Sequence, residues 1–228
     1  MEVPADLPQW RKAQRAELLA RRQAASPLDR KAWSEAITKL LVDGFPILQR
    51  MVVGFCWPYK AEFDARFLIR DLREAGARAA LPAVVAPKNP LEFREWWPGV
   101  KMTPGVFELP VPDDTPVVVP DALLIPCVGF GERGDRLGYG GGFFDRTLAA
   151  IAPQPIKIGV GFELSRIPTI FPQPYDILMD FVVTEKGIHA VDDHSLQRID
   201  AGQCVARVGR ITIERGLPRV QKNVEAPN

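Results

Sequence analysis

The chain has 228 residues, 46% apolar and 25% charged, with a formal net charge of +1. That length suits one ordinary core, and the composition is that of a folded rather than a disordered protein. The charge balance leaves no basic excess to hold a nucleic-acid backbone, and no uncharged apolar run approaches the roughly 20 residues that span a bilayer.

Leu7 to Ala25 is rich in Ala, Leu, Arg and Gln and predicts a helix. Arg11 and Arg15 are four apart and share one face of it, which on spacing alone reads as a solvated basic face. Before it, Met1 to Arg11 carries charges and prolines in place of an apolar signal segment. Ser26-Pro-Leu-Asp29 is a helix start, Trp33, Ile37, Leu40 and Leu41 give the buried stripe, and Gly44 ends it. Met51 to Trp57 predicts a strand, Phe63, Phe67, Leu68 and Leu72 a helix ending at Gly76, and Ala79 to Val85 the next strand. Pro87 to Pro120 is a long irregular region with short antiparallel strands expected at 93–96 and 117–119. Its aromatic residues Trp96 and Trp97 suit either a ligand pocket or the core.

The organising stretch runs from Asp121 to Ala150. An apolar run, Ala122 to Val128, predicts a buried strand, and a glycine-dense turn follows it. Phe143, Phe144, Thr147 and Leu148 then recur at helical spacing. Strand, glycine loop and helix together present free backbone N–H groups and a positive helix end to an anion. Arg136 and Asp145 flank the loop, and a cation, an amide nest and a carboxylate suit a nucleotide phosphate with Mg²⁺. Gly129-Phe-Gly131-Glu-Arg-Gly134 spells a dinucleotide fingerprint, but more glycine-rich residues intervene before any helix can begin, so a nicotinamide site is not expected.

Ile156 to Phe162 predicts another strand, and Asp176 to Gly187 leads into a final one. His189 and His194 lack metal-ligand spacing and read as surface histidines. Beyond 190 the chain turns polar. A short hairpin through 205–208 and 211–213 and a loose end at 224–228 are expected there. Strand and helix alternate, so the fold class is α/β, a three-layer sandwich around a mostly parallel sheet with helices on both faces. Residues 1–190 form one domain and 191–228 a C-terminal extension. Cys56, Cys127 and Cys204 lie far apart without Cys-x-x-Cys spacing, as expected of reduced, mostly buried thiols in a cytoplasmic protein.

The segment Arg136-Leu-Gly-Tyr-Gly-Gly-Gly-Phe-Phe-Asp145 resembles the signature of the 5-formyltetrahydrofolate cyclo-ligases, also called methenyltetrahydrofolate synthetases. The resemblance covers roughly Arg11 to Thr184. It implies ATP-dependent closure of 5-formyltetrahydrofolate to 5,10-methenyltetrahydrofolate, with ATP as co-substrate and Mg²⁺. It implies Arg136 and Asp145 as the catalytic pair, and Asp145 with Asp176 as metal ligands. ATP is implied to contact Arg11, Lys12 and Arg15 together with Arg136, Leu137, Gly138, Tyr139, Gly140, Gly141, Gly142, Phe143 and Phe144. Trp57, Glu62 and Tyr139 are implied to bind the reduced folate. Gly105-Val-Phe-Glu108-Leu-Pro110 is a loose echo of a substrate-side segment of the family.

Several positions depart from the family pattern. Arg11 replaces a lysine, Gly141 stands where many members carry a basic residue, Phe143 and Phe144 replace tyrosines, and Tyr175 replaces His or Asn. A guanidinium fork is not equivalent to an ammonium beside phosphate. Those departures support the alternative of a paralogue that binds nucleotide or folate without turnover. Either protein is expected to be a monomer or weak homodimer whose partner is a small molecule, with no nucleic acid or membrane involved.

Overall fold

Local signals set most helix ends. In the computed structural model, which describes residues 2–192 and 195–219, Asp6 caps helix α1 (Leu7–Ala24) by accepting from the Gln9 amide. Ser26 does the same for α2 (Pro27–Gly44) through the Asp29 amide, with proline in its first turn. Then come β1 (Val52–Gly54), α3 (Arg66–Glu74), β2 (Arg78–Ala83), β3 (Glu92–Trp96), β4 (Met102–Pro104) and β5 (Pro110–Pro112). They are followed by β6 (Ala122–Pro126), β7 (Gly129–Phe130), β8 (Arg136–Leu137), α4 (Phe143–Ala150), β9 (Ile156–Val160) and β10 (Phe181–Thr184). The last described elements are β11 (Gly187–Asp192), β12 (Ser195–Ile199) and α5 (Ala201–Arg215).

Eight strands form one sheet in the order β12-β11-β10-β9-β6-β1-β2-β3. Its centre, from β10 to β2, is parallel. The antiparallel strands lie at the edges. The expected edge strand at 93–96 is present, and Val117 bridges Arg94 beside it. Alternate residues face opposite layers. Val53, Leu124 and Phe181 pack with Ile37 and Leu41 of α2, Leu68 and Ile69 of α3, and Cys204 and Val208 of α5. Val52, Leu123, Ile125 and Val182 pack against Leu148 of α4 on the other face. This is the expected sandwich. Helix α1 lies apart from both layers, its Leu18 packed on Val128, Leu137 and Ile170. The chain runs from β1 outward to β2 and then returns to β6 on the other side of β1, which creates a switch point where ligands collect beyond the carboxyl ends of strands.

Four expectations need correction. The segment expected as a hairpin at 205–213 is α5, started by a capping box between Asp200 and Gln203 and ended at Gly216 in the left-handed conformation. Cys204, Val208 and Thr212 are its buried stripe at fourfold spacing, a helical period that short β-branched runs obscured. Phe63 precedes α3 rather than belonging to it, and Phe67 is exposed. The central strands are shorter than their apolar runs. His189 is buried on β11, with Nε2 3.1 Å from an Arg166 Nη, and burial lowers its pKa. His194 and the expected loose end at 224–228 lie outside the described residues. Gly129 to Gly134 forms β7 and most of the turn that leads to β8, not a dinucleotide loop.

The last segment is tied in by charge as well as by packing. Arg215 of α5 donates to both Asp180 oxygens at 2.7 and 2.8 Å. A Val208→Ala substitution should lower the unfolding free energy by about 1–3 kcal/mol. The exposed Val205→Ala should change it by less than about 0.5 kcal/mol. Urea denaturation at constant m distinguishes them, and equal small effects would mean that α5 is not part of the core.

Candidate active site

A cleft of about 1110 Å³ opens at the switch point. Its floor carries Cys56 and Trp57 from the end of β1, Pro82 and Val84 from the end of β2, and Pro126 from β6. One wall is the glycine loop leading into α4. Gly140 and Gly142 have φ of +97° and +63°, conformations that a side chain would strain. None of the amides from 138 to 142 donates to a carbonyl or side chain among the described residues. They point no partner at themselves, which is how an anion nest is built.

Three guanidinium groups surround that loop. Arg15 of α1 donates Nε to the Gly138 carbonyl at 2.7 Å, and its Cζ lies 3.3 Å from where a Cβ on Gly140 would sit. Burial, then the charges of Arg11 and Arg136, lower its pKa. Arg136 is 7% exposed in its side chain, 3.6 Å from Asp145, and stacked 5.3 Å from the Phe144 ring. Its Nε is buried with no hydrogen-bond partner. Arg146 of α4 stacks 5.2 Å from the Phe143 ring and donates to the Gly141 carbonyl at 2.7 Å, and its Nε is likewise buried and unpartnered. Buried donors without acceptors are rare, and here three cations face one concave surface. The arrangement is short of negative charge.

The opposite wall is a network around Glu62. Lys60 and Ala61 adopt positive φ, folding the turn so that Glu62 accepts from the Tyr59 amide at 3.0 Å. Tyr139, between two loop glycines, donates its hydroxyl to Glu62 at 2.6 Å. Arg22 of α1 donates to the same hydroxyl at 2.7 Å. Burial raises the Glu62 pKa, opposed by Tyr139, Arg22 and the Tyr59 amide. The Tyr139 phenol is also pushed up, first by burial and then by Glu62, so it remains a donor. Trp57 stacks against Arg66, 4.6 Å from its Cζ. Val106 and Phe107 reach over the cleft from the segment that loosely echoes the family pattern.

A model of the 5-formyltetrahydrofolate cyclo-ligase family matches residues 8–185. The chain belongs to this family. It is 31% identical to a 5-formyltetrahydrofolate cyclo-ligase of Mycolicibacterium smegmatis over 187 residues, covering 78% of this chain and 95% of the relative. It is 29% identical to the Escherichia coli K12 cyclo-ligase over 178 residues, covering 74% and 96%. The NMR structure of Aquifex aeolicus 5,10-methenyltetrahydrofolate synthetase superposes with a TM-score of 0.70 at 26% identity, over 82% of this chain and 96% of that one.

Most of the residues that the resemblance implied line the cleft of this cyclo-ligase family member, from Arg11 and Arg15 through Arg136 to Phe144, with Trp57, Glu62, Asp145 and Asp176. Lys12 does not; it is exposed, one helical step around from Arg11. Leu137 lines the cleft while packing against Leu18. Arg11 is not on a solvated face. It is nearly buried, donating to the Ile170 and Phe171 carbonyls at 3.1 and 2.9 Å and to Asp176 at 2.6 Å. Trp96 belongs to the core beside Phe55.

Asp176 is therefore committed. Its Oδ2 accepts from Arg11 and from the Gln173 amide at 2.7 Å, which leaves little of it for a metal. Asp145 fits better, because its Oδ2 has only Arg136 at 3.6 Å and its carboxylate lines the cleft. Among the described residues no group of three or more His, Cys, Asp or Glu side chains gathers. A cation held here would rely on one carboxylate, phosphate oxygens and water, as Mg²⁺ tolerates. The sequence reading missed Arg22 and Arg146. Arg22 lies seven residues, two helical turns, beyond Arg15, and Arg146 directly follows Asp145, so both signals were present.

Replacing Arg11 by Ala should leave the part-buried Asp176 uncompensated and cost about 2–4 kcal/mol of stability. Arg11→Lys should cost about 1–2 kcal/mol, because an ammonium keeps the charge but cannot span two carbonyls and a carboxylate. Thermal and urea unfolding measure both, and an unperturbed Arg11→Ala would exclude the clamp.

Proposed function

We propose that this protein catalyses ATP-dependent cyclisation of 5-formyltetrahydrofolate to 5,10-methenyltetrahydrofolate. The observation that carries this is the convergence of Arg15, Arg136, Arg146 and the unpaired amides of 138–142 on a cleft whose other wall is Glu62, Tyr139 and Trp57. Charge and amides suit a triphosphate. A carboxylate acceptor beside an indole suits the N–H edge and ring of a pterin. Family membership supports the pairing of the two halves.

In the reaction, the formyl oxygen attacks the γ-phosphorus, and the bond to the bridging oxygen breaks as ADP leaves with the electron pair. N10 then adds to the activated formyl carbon and gives up its proton, and the carbon–oxygen bond breaks to release phosphate. Phosphorylation converts a poor leaving oxygen into a good one. Such a transfer demands alignment and charge neutralisation rather than a protein nucleophile. Cys56 in the cleft fits that demand, since burial and the Glu62 charge keep it a thiol. Arg136 and Arg15 neutralise charge developing on the transferred group, the glycine amides orient it, and the apolar floor excludes water. Mg²⁺ on Asp145 would supply further neutralisation of phosphate charge. The free cysteines support a reducing, cytoplasmic setting.

Arg136→Ala should lower kcat at least about a hundredfold while the protein still melts cooperatively, as expected when one charge-stabilising donor is lost. Gly138→Ala should lower it by about tenfold or more without removing any charge, because its Cβ would displace the Arg136 guanidinium. Methenyl absorbance with purified protein, Mg-ATP and 5-formyltetrahydrofolate reads both. Binding of ATP with no product from the wild-type protein would replace the catalytic reading with binding alone.

A further inference from the structure

Arg22 is the most enclosed cation of α1. Its side chain is 3% exposed and does not line the cleft. All but one of the contacts it makes nevertheless go to the Glu62 wall. Nε donates to the Lys60 carbonyl at 3.0 Å, and Nη1 reaches the Cys127 carbonyl at 3.4 Å. Nη2 reaches the Tyr59 carbonyl at 3.4 Å and the Tyr139 hydroxyl at 2.7 Å, and stands 3.6 Å from Glu62. One guanidinium thus joins the strained 59–62 turn, the end of β6 and the glycine loop. We propose that Arg22 is a positioning residue for the reduced folate, holding the Glu62 carboxylate and the Tyr139 hydroxyl in one register without touching the ligand. This rests on the assignment of Glu62 to folate made above.

The chemistry follows from what surrounds Glu62. Arg22 faces it from α1, Tyr139 and Arg136 from the glycine-motif segment, the Tyr59 amide from its own turn, and the neutral Cys56 thiol from the end of β1. Burial alone favours the protonated acid, which has one acceptor oxygen fewer. Arg22 supplies a buried opposite charge, and it fixes Tyr139 so that the phenol donates to Oε1 and leaves Oε2 with only one amide. Removing the cation raises the Glu62 pKa further, so the acidic form persists to higher pH. The sign is fixed: the acid limb of kcat/KM moves upward.

Four variants test the idea: Arg22→Gln, Arg22→Lys, Glu62→Gln and the double variant Arg22→Gln with Glu62→Gln. Arg22→Gln should raise KM for 5-formyltetrahydrofolate about tenfold, the scale of losing one charge-assisted hydrogen bond. KM for Mg-ATP should stay within about twofold, and the acid limb should rise by about one pH unit. Arg22→Lys should recover part of the pH shift through its charge. On a Glu62→Gln background, Arg22→Gln should add little and shift no limb, since no carboxylate remains to titrate. Should Arg22→Gln fail to fold, the folate KM of Arg22→Lys against wild type carries the test, because an ammonium keeps the charge but cannot span the same acceptors. An unshifted limb and unchanged folate KM in the folded Arg22 variant, or equal penalties with and without Glu62, would overturn the role of Arg22. A wild-type folate KM in Glu62→Gln would instead overturn the assignment of Glu62.

Discussion

A guanidinium withdrawn from water must be met by acceptors or by an anion, and helix α1 brings three of them to the carboxyl end of the sheet. Arg11, Arg15 and Arg22 lie along it at intervals of four and seven residues, so all project toward the carboxyl ends of the parallel strands. Two of the three are satisfied by protein. Arg11 is consumed by the 170–176 loop and Asp176, and Arg22 by the 59–62 turn and Tyr139. Arg15 spends one donor on Gly138 and turns the rest toward the cleft. The helix is therefore both a strap that locks two loops and a contributor of charge to the site.

This division bears on Arg11, where the resemblance to the family implied a lysine. A fork can hold two carbonyls and a carboxylate at once; an ammonium on a flexible stem cannot hold them in fixed directions. Its donors go to the Ile170 and Phe171 carbonyls and to Asp176, so Arg11 serves the cleft's architecture. Arg146, stacked on Phe143 and bonded to the Gly141 carbonyl, brings a further cation to the loop. Phe143 and Phe144 offer ring faces to Arg146 and Arg136.

The sheet fixes where these groups meet. Because the chain leaves β1 in one direction and returns to β6 in the other, the ends of those strands diverge and leave a crevice. The Glu62 turn follows β1 and the glycine loop follows β6, so the two walls are neighbours for a topological reason. Tyr139 spans them. The C-terminal β12 and α5 lie at the far edge and on one face, where they close the core without approaching the cleft.

The glycine segment, its flanking Arg136 and Asp145, the alternation of strand and helix and the family were all legible in the sequence, because each is written in local spacing or in a contiguous motif. The helix at 201–215 was not, since its β-branched residues mimic a strand and its helical stripe gains meaning only against α2 and the sheet. Nor could spacing reveal that Arg11 and Asp176 neutralise each other, that Arg22 reaches Glu62, or that Lys12 faces away. Those pairings join residues separated by 40 to 165 positions. Sequence periodicity fixes which face of a helix a side chain shares; only the packed fold decides what that face meets, and for a buried charge the partner it meets determines whether it binds a ligand or holds the structure together.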